Sequence, residues 1–414
     1  MLPHYFESKF RINTLKVGPA GAQVESFAQL LYESGYAQIT ARRHLRAAEH
    51  FLYWAGRTGI LVSDLTEESV DRFGFHLRRR SCAHFGHADR YQLHSARLFL
   101  GHLQNVGVVS SQNIAKTVQC PTLLQDFFHW MRQLRGTCEA TLYNYGIHLR
   151  RLLNCLGEEP GNYDAQSLRQ FVMKAHKECG WACAKKCTTA LRMFLRYLIS
   201  EGKCPAGLYA AVPVLAHWRL SSLPRYLQED EVERVIASCD ASSPVGCRDR
   251  VIMLLLARLG LRAGDIFQLR LSDIDWKQAW IHVCGKGRRH SRLPLTNELG
   301  VALVEYLKHG RRKTDSDAMF VSCRAPFRPF SSHCAVSMIV DRALRRAGVT
   351  RPSRGAAHLL RHSVAASMLR RGASLQDIAL LLRHSSIETT QIYAKVDVLA
   401  LGEIAQPWPE VQPC

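Results

Sequence analysis

Between residues 26 and 56, SFAQLLYESGYAQITARRHLRAAEHFLYWAG, apolar positions recur at spacings of three and four, the period of an amphipathic helix. Thr40 is placed to cap a helix that runs through Trp54, and Gly56 to end it. The same period predicts helices over 66–79 and over roughly 91–105, on either side of a His-, Arg- and Cys-rich loop, RRRSCAHFGHADR. A similar order then returns. Thr141 opens TLYNYGIHLRRLLNCLG as Thr40 opens TARRHLRAAEHFLYWAG. FLRYLISEG at 194–202 echoes FLGHLQNVG at 99–107, so that Phe99, Leu100, Leu103 and Gly107 match Phe194, Leu195, Leu198 and Gly202. The pattern reads as two similar helical modules in tandem, at about 23–110 and 120–205, or as two unrelated amphipathic bundles that share a period.

Residues 205–224 hold Pro205, Pro213 and Pro224 with little periodicity, as a linker does. Beyond them the pattern changes. A short helix is expected over Glu229–Ser238 and a very apolar one over Arg248–Leu259. Trp280–Val283 reads as a strand, Gly285-Lys286-Gly287 as a turn and Arg292–Leu295 as the returning strand, with a further strand at Ala318–Ser322. From 331 to 396 the pattern is helical again, broken at Gly348, Gly372 and His384-Ser-Ser. The chain is therefore expected to be mostly α: two N-terminal helical modules, then a mainly helical domain with a small antiparallel sheet.

Composition narrows the partners. Lys and Arg total 55 against 35 Asp and Glu, a formal charge of +20, over 414 residues. The excess is spread along the chain: +5 over residues 1–118, +5 over 119–213 and +10 over 214–414. A basic tail on a neutral enzyme would look different; several basic domains facing one polyanion would look like this. Hydrophobic content of 47% is that of a globular chain rather than a disordered one. No run approaches the ~18 apolar residues of a membrane span. The N-terminal MLPHYFESKFRINTLKVG lacks the apolar core of a signal peptide, so a cytoplasmic location is expected.

Fourteen cysteines then read as free thiols in a reducing compartment. Cys179, Cys183 and Cys187 are spaced by four along one helix, near His176, but zinc sites usually use shorter paired spacings. No metal and no cofactor are expected.

Four places in the last domain carry chemically capable residues inside apolar helices or at a turn. Arg262 lies in Leu259-Gly-Leu-Arg-Ala-Gly-Asp265, where a plain helix-terminal arginine is the ordinary explanation. Lys286 sits at a hairpin tip, where most lysines are merely exposed. His358-Leu-Leu-Arg361-His362 puts two histidines four apart on one face, a zinc spacing without a HExxH glutamate or an obvious third ligand. His384-Ser-Ser-Ile-Glu-Thr-Thr-Gln-Ile-Tyr393 places Tyr393 about two turns into a helix that Ser386 can cap, where a tyrosine is usually core or interface.

Taken in order, these segments resemble the tyrosine recombinase (phage integrase) family, which includes the Xer-type recombinases. LGLRAGDIFQLRLSDID is similar to that family's first arginine box, VCGKGRRHSRLPL to its lysine hairpin, HLLRH to its second box and LLRHSSIETTQIYAKVD to its tyrosine box. The resemblance runs from Leu223-Pro-Arg-Tyr-Leu227 to about Asp397 and covers six positions: Arg262, Lys286, His358, Arg361, His384 and Tyr393. It implies a site-specific DNA recombinase. Arg262 and Arg361 would hold the nonbridging phosphate oxygens and stabilise the pentacoordinate transition state. Tyr393 would attack phosphorus to form a 3′-phosphotyrosine, with His358 as base, Lys286 as acid for the departing 5′-oxygen and His384 supporting the phosphate.

By the same resemblance the chain divides into an extension (1–22), an arm-type helical module (23–115), a core-binding module (116–208), a linker (209–224), the catalytic domain (225–397) and a tail (398–414). The partners implied are double-stranded DNA and a tetramer of this chain on paired sites, with no membrane. Leu399, Leu401 and Ile404 of the apolar tail would dock on a neighbouring protomer or pack on their own domain. Three residues depart from the family pattern. Arg383 stands where Gly usually precedes the histidine, either clashing there or adding a phosphate contact. Lys395 replaces a second His, and Asp265 a Glu. A type IB topoisomerase-like relaxer, a catalytically silent DNA-binding protein and a zinc protein are the competing readings.

Overall fold

The computed structural model describes residues 1–18, 20–78, 90–110, 120–215, 224–285, 290–350, 355–384, 386–396 and 402. The chain forms two compact units, Met1–Ser111 with Ser222–Cys414, and Gln112–Ser221. Among the described residues no helix is long and apolar enough to cross a membrane.

In the first unit the N-terminal part holds the helices Gly21–Glu33, Gln38–Arg57, Glu67–Arg78 and Arg90–Asn105, with a 3-10 turn at Val62–Asp64. Ala41, Leu45, Ala48, Phe51, Leu52 and Ala55 bury one face of Gln38–Arg57, as their spacing predicts. That helix starts before Thr40, which is its third residue; Ala37 is the cap and makes no side-chain bond. Gly56 lies inside the helix rather than after it, and the 78–90 loop falls almost wholly outside the described residues. Phe27 and Phe99 meet edge to face in the core, centroids 5.1 Å apart.

The second unit repeats this order: helices Thr122–Arg135, Glu139–Leu156, Ala165–Cys179 and Trp181–Ser200, with a 3-10 turn at Pro160–Asn162 again between the second and third. Thr141 is the third residue of its helix, as Thr40 is of its own. Phe127 and Phe194 meet edge to face at 5.3 Å, the counterpart of Phe27 and Phe99. Asp164 caps the third helix, accepting from the N–H groups of Gln166 (2.7 Å) and Ser167 (2.8 Å). Of the three spaced cysteines, Cys187 is buried and Cys179 exposed. The expected linker begins as part of this unit: Leu208–Ala211 is a short helix, and Leu208 and Val212 join its core. Residues 216–223 lie outside the described residues.

The C-terminal part of the first unit is organised round Pro244–Ala257, in which Val251 through Leu256 are all fully buried. This helix starts earlier than its apolar run predicts. Ser243 caps it through the Gly246 N–H (3.1 Å), and Arg248 and Asp249 enter the interior as an ion pair at 2.6 Å. Glu229–Ala237, Ala263–Gln268, Asn297–Glu305, Cys334–Arg346 and Ala356–Arg370 pack round it, and Leu375–Leu381 packs on Ala356–Arg370.

Strands β1 (Ile274–Asp275), β2 (Trp280–Cys284) and β3 (His290–Pro294) form an antiparallel sheet in that order, with Trp280 opposite Pro294 and Cys284 opposite His290. Ala318–Ser322 is not a strand of it. Among the described residues it makes only isolated bridges, Arg270 to Ala318 and Val321 to Pro329. The Arg311 guanidinium takes the carbonyls of Ala318 (2.9 Å) and Met319 (3.3 Å), which a ladder would need, and Pro329 has no N–H to give.

Candidate active site

The site forms where the end of the 259–262 turn, the Ala356–Arg370 helix and the 382–396 segment converge. Gly260 allows the approach. Its φ is +58°, and a Cβ there would meet the Leu382 side chain at 2.5 Å. Its carbonyl accepts a hydrogen bond from Arg361 Nη1, while Arg361 Nη2 donates to the Leu382 carbonyl. Arg361 is thus locked in the interior, 4% exposed. Burial first, then the neighbouring Arg262 cation, pushes its pKa down to about 9, which still leaves it charged at neutral pH.

Arg262 immediately precedes the Ala263–Gln268 helix. Its backbone N–H donates to Asp265 Oδ2 at 2.9 Å, so Asp265 fixes the turn that presents the arginine. Arg262 Nη2 donates to the Arg383 carbonyl at 3.2 Å. Burial lowers its pKa; Asp265 opposes the shift and Arg383 adds to it.

His358 and His362 occupy one face of the Ala356–Arg370 helix, ring centroids 6.3 Å apart. His358 keeps an exposed surface, yet the protein packed round its ring, with Arg361 and Arg262, holds its pKa below the usual imidazole value. His362 is the ring that meets the tyrosine: its Nδ1 lies 2.7 Å from Tyr393 Oη. Burial, then His358 and Arg361, push the His362 pKa down to about 4, so the ring is neutral at neutral pH. Tyr393 is 2% exposed, in a small core with Ala365, Leu369, Ile378 and Leu382. Burial raises its pKa to about 12 against the pull of Arg361.

His384 hydrogen-bonds through Nδ1 to Thr390 Oγ1 at 2.7 Å, and burial, with Arg361 and Arg262, pushes its pKa down to about 4. Ser386 does act as a cap, through the Glu388 N–H, but the segment it opens is two 3-10 turns, Ile387–Thr389 and Gln391–Val396, not an α-helix carrying Tyr393. The buried Thr390, tied to His384, sits where an α-helix would continue. Arg383 neither clashes nor points to solvent. It adopts φ +53° and pairs through Nη2 with Asp265, while its Nε and Nη1 are buried with no partner among the described residues.

Five of the six expected residues, Arg262, His358, Arg361, His384 and Tyr393, are therefore gathered at one place. The fields of the two arginines reach both His358 and His384, and that of Arg361 reaches Tyr393. Lys286 lies in 286–289, outside the described residues; β2 and β3 are the strands that lead to it. The tail residues Leu399, Leu401 and Ile404 also lie outside them. His362 and Thr390 were not anticipated in these roles. His362 is visible in HLLRH, but the spacing there directs attention to a metal pair with His358 rather than to a tyrosine 31 residues further on. Among the described residues no three His, Cys, Asp or Glu side chains are grouped to hold a metal ion.

The gathered set suits chemistry on an anionic ester: two guanidiniums for the anion, neutral histidines, and a hydroxyl hydrogen-bonded to one of them. Comparison with known proteins agrees. Residues 225–399 match the phage integrase family. A Sinorhizobium fredii protein named as an integrase/recombinase is 34% identical over 412 residues, 99% of this chain and 99% of its own. The tyrosine recombinase XerD of Listeria monocytogenes is 28% identical over 293 residues, covering 68% of this chain and 96% of its own. Among solved structures, a lambda integrase dimer bound to a core site shares the fold with a TM-score of 0.52 at 21% identity, over 70% of this chain and 98% of that one. The chain belongs to the phage integrase family, the tyrosine recombinases.

Proposed function

We propose that this chain cleaves and rejoins duplex DNA at specific sites through a covalent 3′-phosphotyrosine, with Tyr393 as nucleophile. The observation that carries the reading is the 2.7 Å hydrogen bond between Tyr393 Oη and a neutral His362, beside two buried or half-buried arginines. Arg262 and Arg361 exchange their carbonyl partners for the nonbridging oxygens of the scissile phosphate. The Tyr393 oxygen attacks phosphorus as its proton passes to His362 Nδ1. The P–O5′ bond breaks, and the 5′-oxygen leaves with a proton from Lys286. His358 and His384 hydrogen-bond the phosphate, so the base role first expected of His358 passes in this reading to His362.

The bond energy is kept in the phosphotyrosine. A 5′-hydroxyl from a second strand attacks it, reverses the step and joins the strands without ATP or a metal. The module at 116–208 and the 225–397 domain both hold the DNA, and the module at 23–115 adds an arm contact. Four copies act on paired sites, with 398–414 docking on a neighbour. Support for this arrangement comes from the uniform basicity of the chain and from the solved lambda integrase tetramer bound to a Holliday junction.

The test uses duplex DNA containing the site that the protein protects from nuclease, nicked so that the cleaved 5′ fragment diffuses away. The full chain is expected to become covalently attached to the DNA 3′ end. Tyr393→Phe should bind the same DNA and form no adduct; an adduct formed by that variant would remove Tyr393 from the role.

A further inference from the structure

Arg383 is an anomaly of the fold. It is not glycine, yet it occupies the left-handed region at φ +53°, where a side chain is strained. It is a cation with a side chain only 9% exposed. One donor, Nη2, is held by Asp265. Two others, Nε and Nη1, are buried and unpaired among the described residues. Buried donors are nearly always partnered, and an exception calls for a reason. The surroundings supply one. The fields of Arg262, Arg361 and Arg383 overlap, and among the described residues Asp265 is the one carboxylate that answers them. Three guanidiniums against one carboxylate leave a positive excess in the interior that an anion would neutralise.

We infer that Arg383 is a third phosphate-binding arginine of this site, giving its unpaired donors to an anionic phosphate oxygen while Asp265 keeps its Nη2. The inference rests on the recombinase reading for the identity of the anion as a DNA phosphodiester. It also explains the geometry. The Arg383 carbonyl already receives Arg262 Nη2, and Asp265 already fixes the Arg262 backbone, so the same contacts aim both arginines. The left-handed backbone turns the side chain inward at the place where the Leu382 carbonyl holds Arg361.

The variants are Arg383→Gly, which suits the positive φ and removes the guanidinium, and Arg383→Lys, which keeps the charge but loses the planar fork. Exposed Arg57→Gln is the control for diffuse charge. In the first arm, inorganic phosphate is titrated into each full-length protein at constant ionic strength and the melting temperature followed. Wild type and Arg57→Gln should rise together, Arg383→Lys should rise less, and Arg383→Gly least. An equal rise in Arg383→Gly and wild type overturns the inference. In the second arm, adduct formation is measured on DNA with either a phosphodiester or a neutral methylphosphonate at the scissile position. Losing a hydrogen bond to a charged group should cost Arg383→Gly about 10–100-fold on the phosphodiester. On the methylphosphonate that penalty should shrink, because an anionic oxygen is gone. The same penalty on both substrates would make Arg383 a positioning residue for Arg262 and overturn the contact. Failure of wild type to form any adduct would instead remove the strand-transfer reading, and the phosphate arm would still decide Arg383.

Discussion

His362→Asn separates hydrogen bonding from proton transfer at the nucleophile. The amide oxygen of Asn can stand near the position of Nδ1 and keep the bond to Tyr393 Oη, but it cannot take the proton. With the tyrosine pKa raised to about 12, only on the order of one molecule in ten thousand carries tyrosinate at pH 8. Unassisted attack would therefore rise about tenfold per pH unit. The wild-type His362, with its pKa pushed down to about 4, stays neutral across the working range; it is too weak a base to ionise Tyr393 beforehand and takes the proton only as the oxygen bonds to phosphorus. Single-turnover adduct formation on the nicked site should then be nearly flat from pH 6.5 to 9 for wild type, on these pKa values. For His362→Asn it should be slower by about 10²–10⁴-fold at pH 7 and climb with pH. DNA affinity and melting temperature should change little, because the buried hydroxyl keeps a partner. His362→Ala should show the same kinetic loss and in addition melt earlier, by the roughly 1–3 kcal/mol of an unsatisfied buried hydroxyl. If His362→Asn cleaves within a few-fold of wild type with the same flat profile, His362 is not the base.

Other outcomes rest on the same geometry. Gly260→Ala should destabilise the C-terminal part and abolish adduct formation together, since a Cβ at φ +58° strikes Leu382 and displaces the carbonyl that holds Arg361; calorimetry and the adduct assay check it. Stability should fall in acid. His44, His362 and His384 have folded pKa values near 4, below the unfolded 6.5, so they contribute fully above pH 6.5 and their contribution is lost as pH falls toward 4. Denaturation midpoints measured across that window should drop, and His44→Gln should flatten part of the fall; a flat profile in wild type would refute it. DNA affinity should decline steeply with salt, log K against log salt having a slope set by the phosphates contacted, and an affinity indifferent to salt would remove the basic-clamp reading.

Helices with a clear apolar stripe were legible in the sequence to within a few residues, as Glu67–Arg78 and Arg90–Asn105 show. Their starts were not. Thr40 and Thr141 look like caps but lie inside the first turn: the caps are Ala37 and Cys138, neither of which caps a backbone N–H with its side chain. Periodicity also hid the first turn of Pro244–Ala257, Pro244-Val-Gly-Cys247, which carries no apolar stripe and is set by the Ser243 cap instead. The Ala318–Ser322 run has strand composition, but the side chain of Arg311, seven residues before Ala318, takes the Ala318 and Met319 carbonyls, a competition the apolar pattern does not reveal. At the site, the order of the motifs and the resemblance they carry nominated Arg262, Lys286, His358, Arg361, His384 and Tyr393, and the five that lie among the described residues come together. The pairings were not: Tyr393 with His362, His384 with Thr390 and Arg383 with Asp265 depend on backbone turns that bring separate segments together.

The central claim is that Tyr393 carries the DNA. The most direct measurement isolates the adduct formed on the nicked site, digests it with trypsin and nuclease, and locates the residual nucleotide by mass spectrometry. Cleavage after Arg383 and Lys395 releases His384–Lys395, in which Tyr393 is the one tyrosine. A 3′-linked nucleotide on that residue is the predicted result; a nucleotide on any other residue, or a linkage through the DNA 5′ end, would contradict the claim.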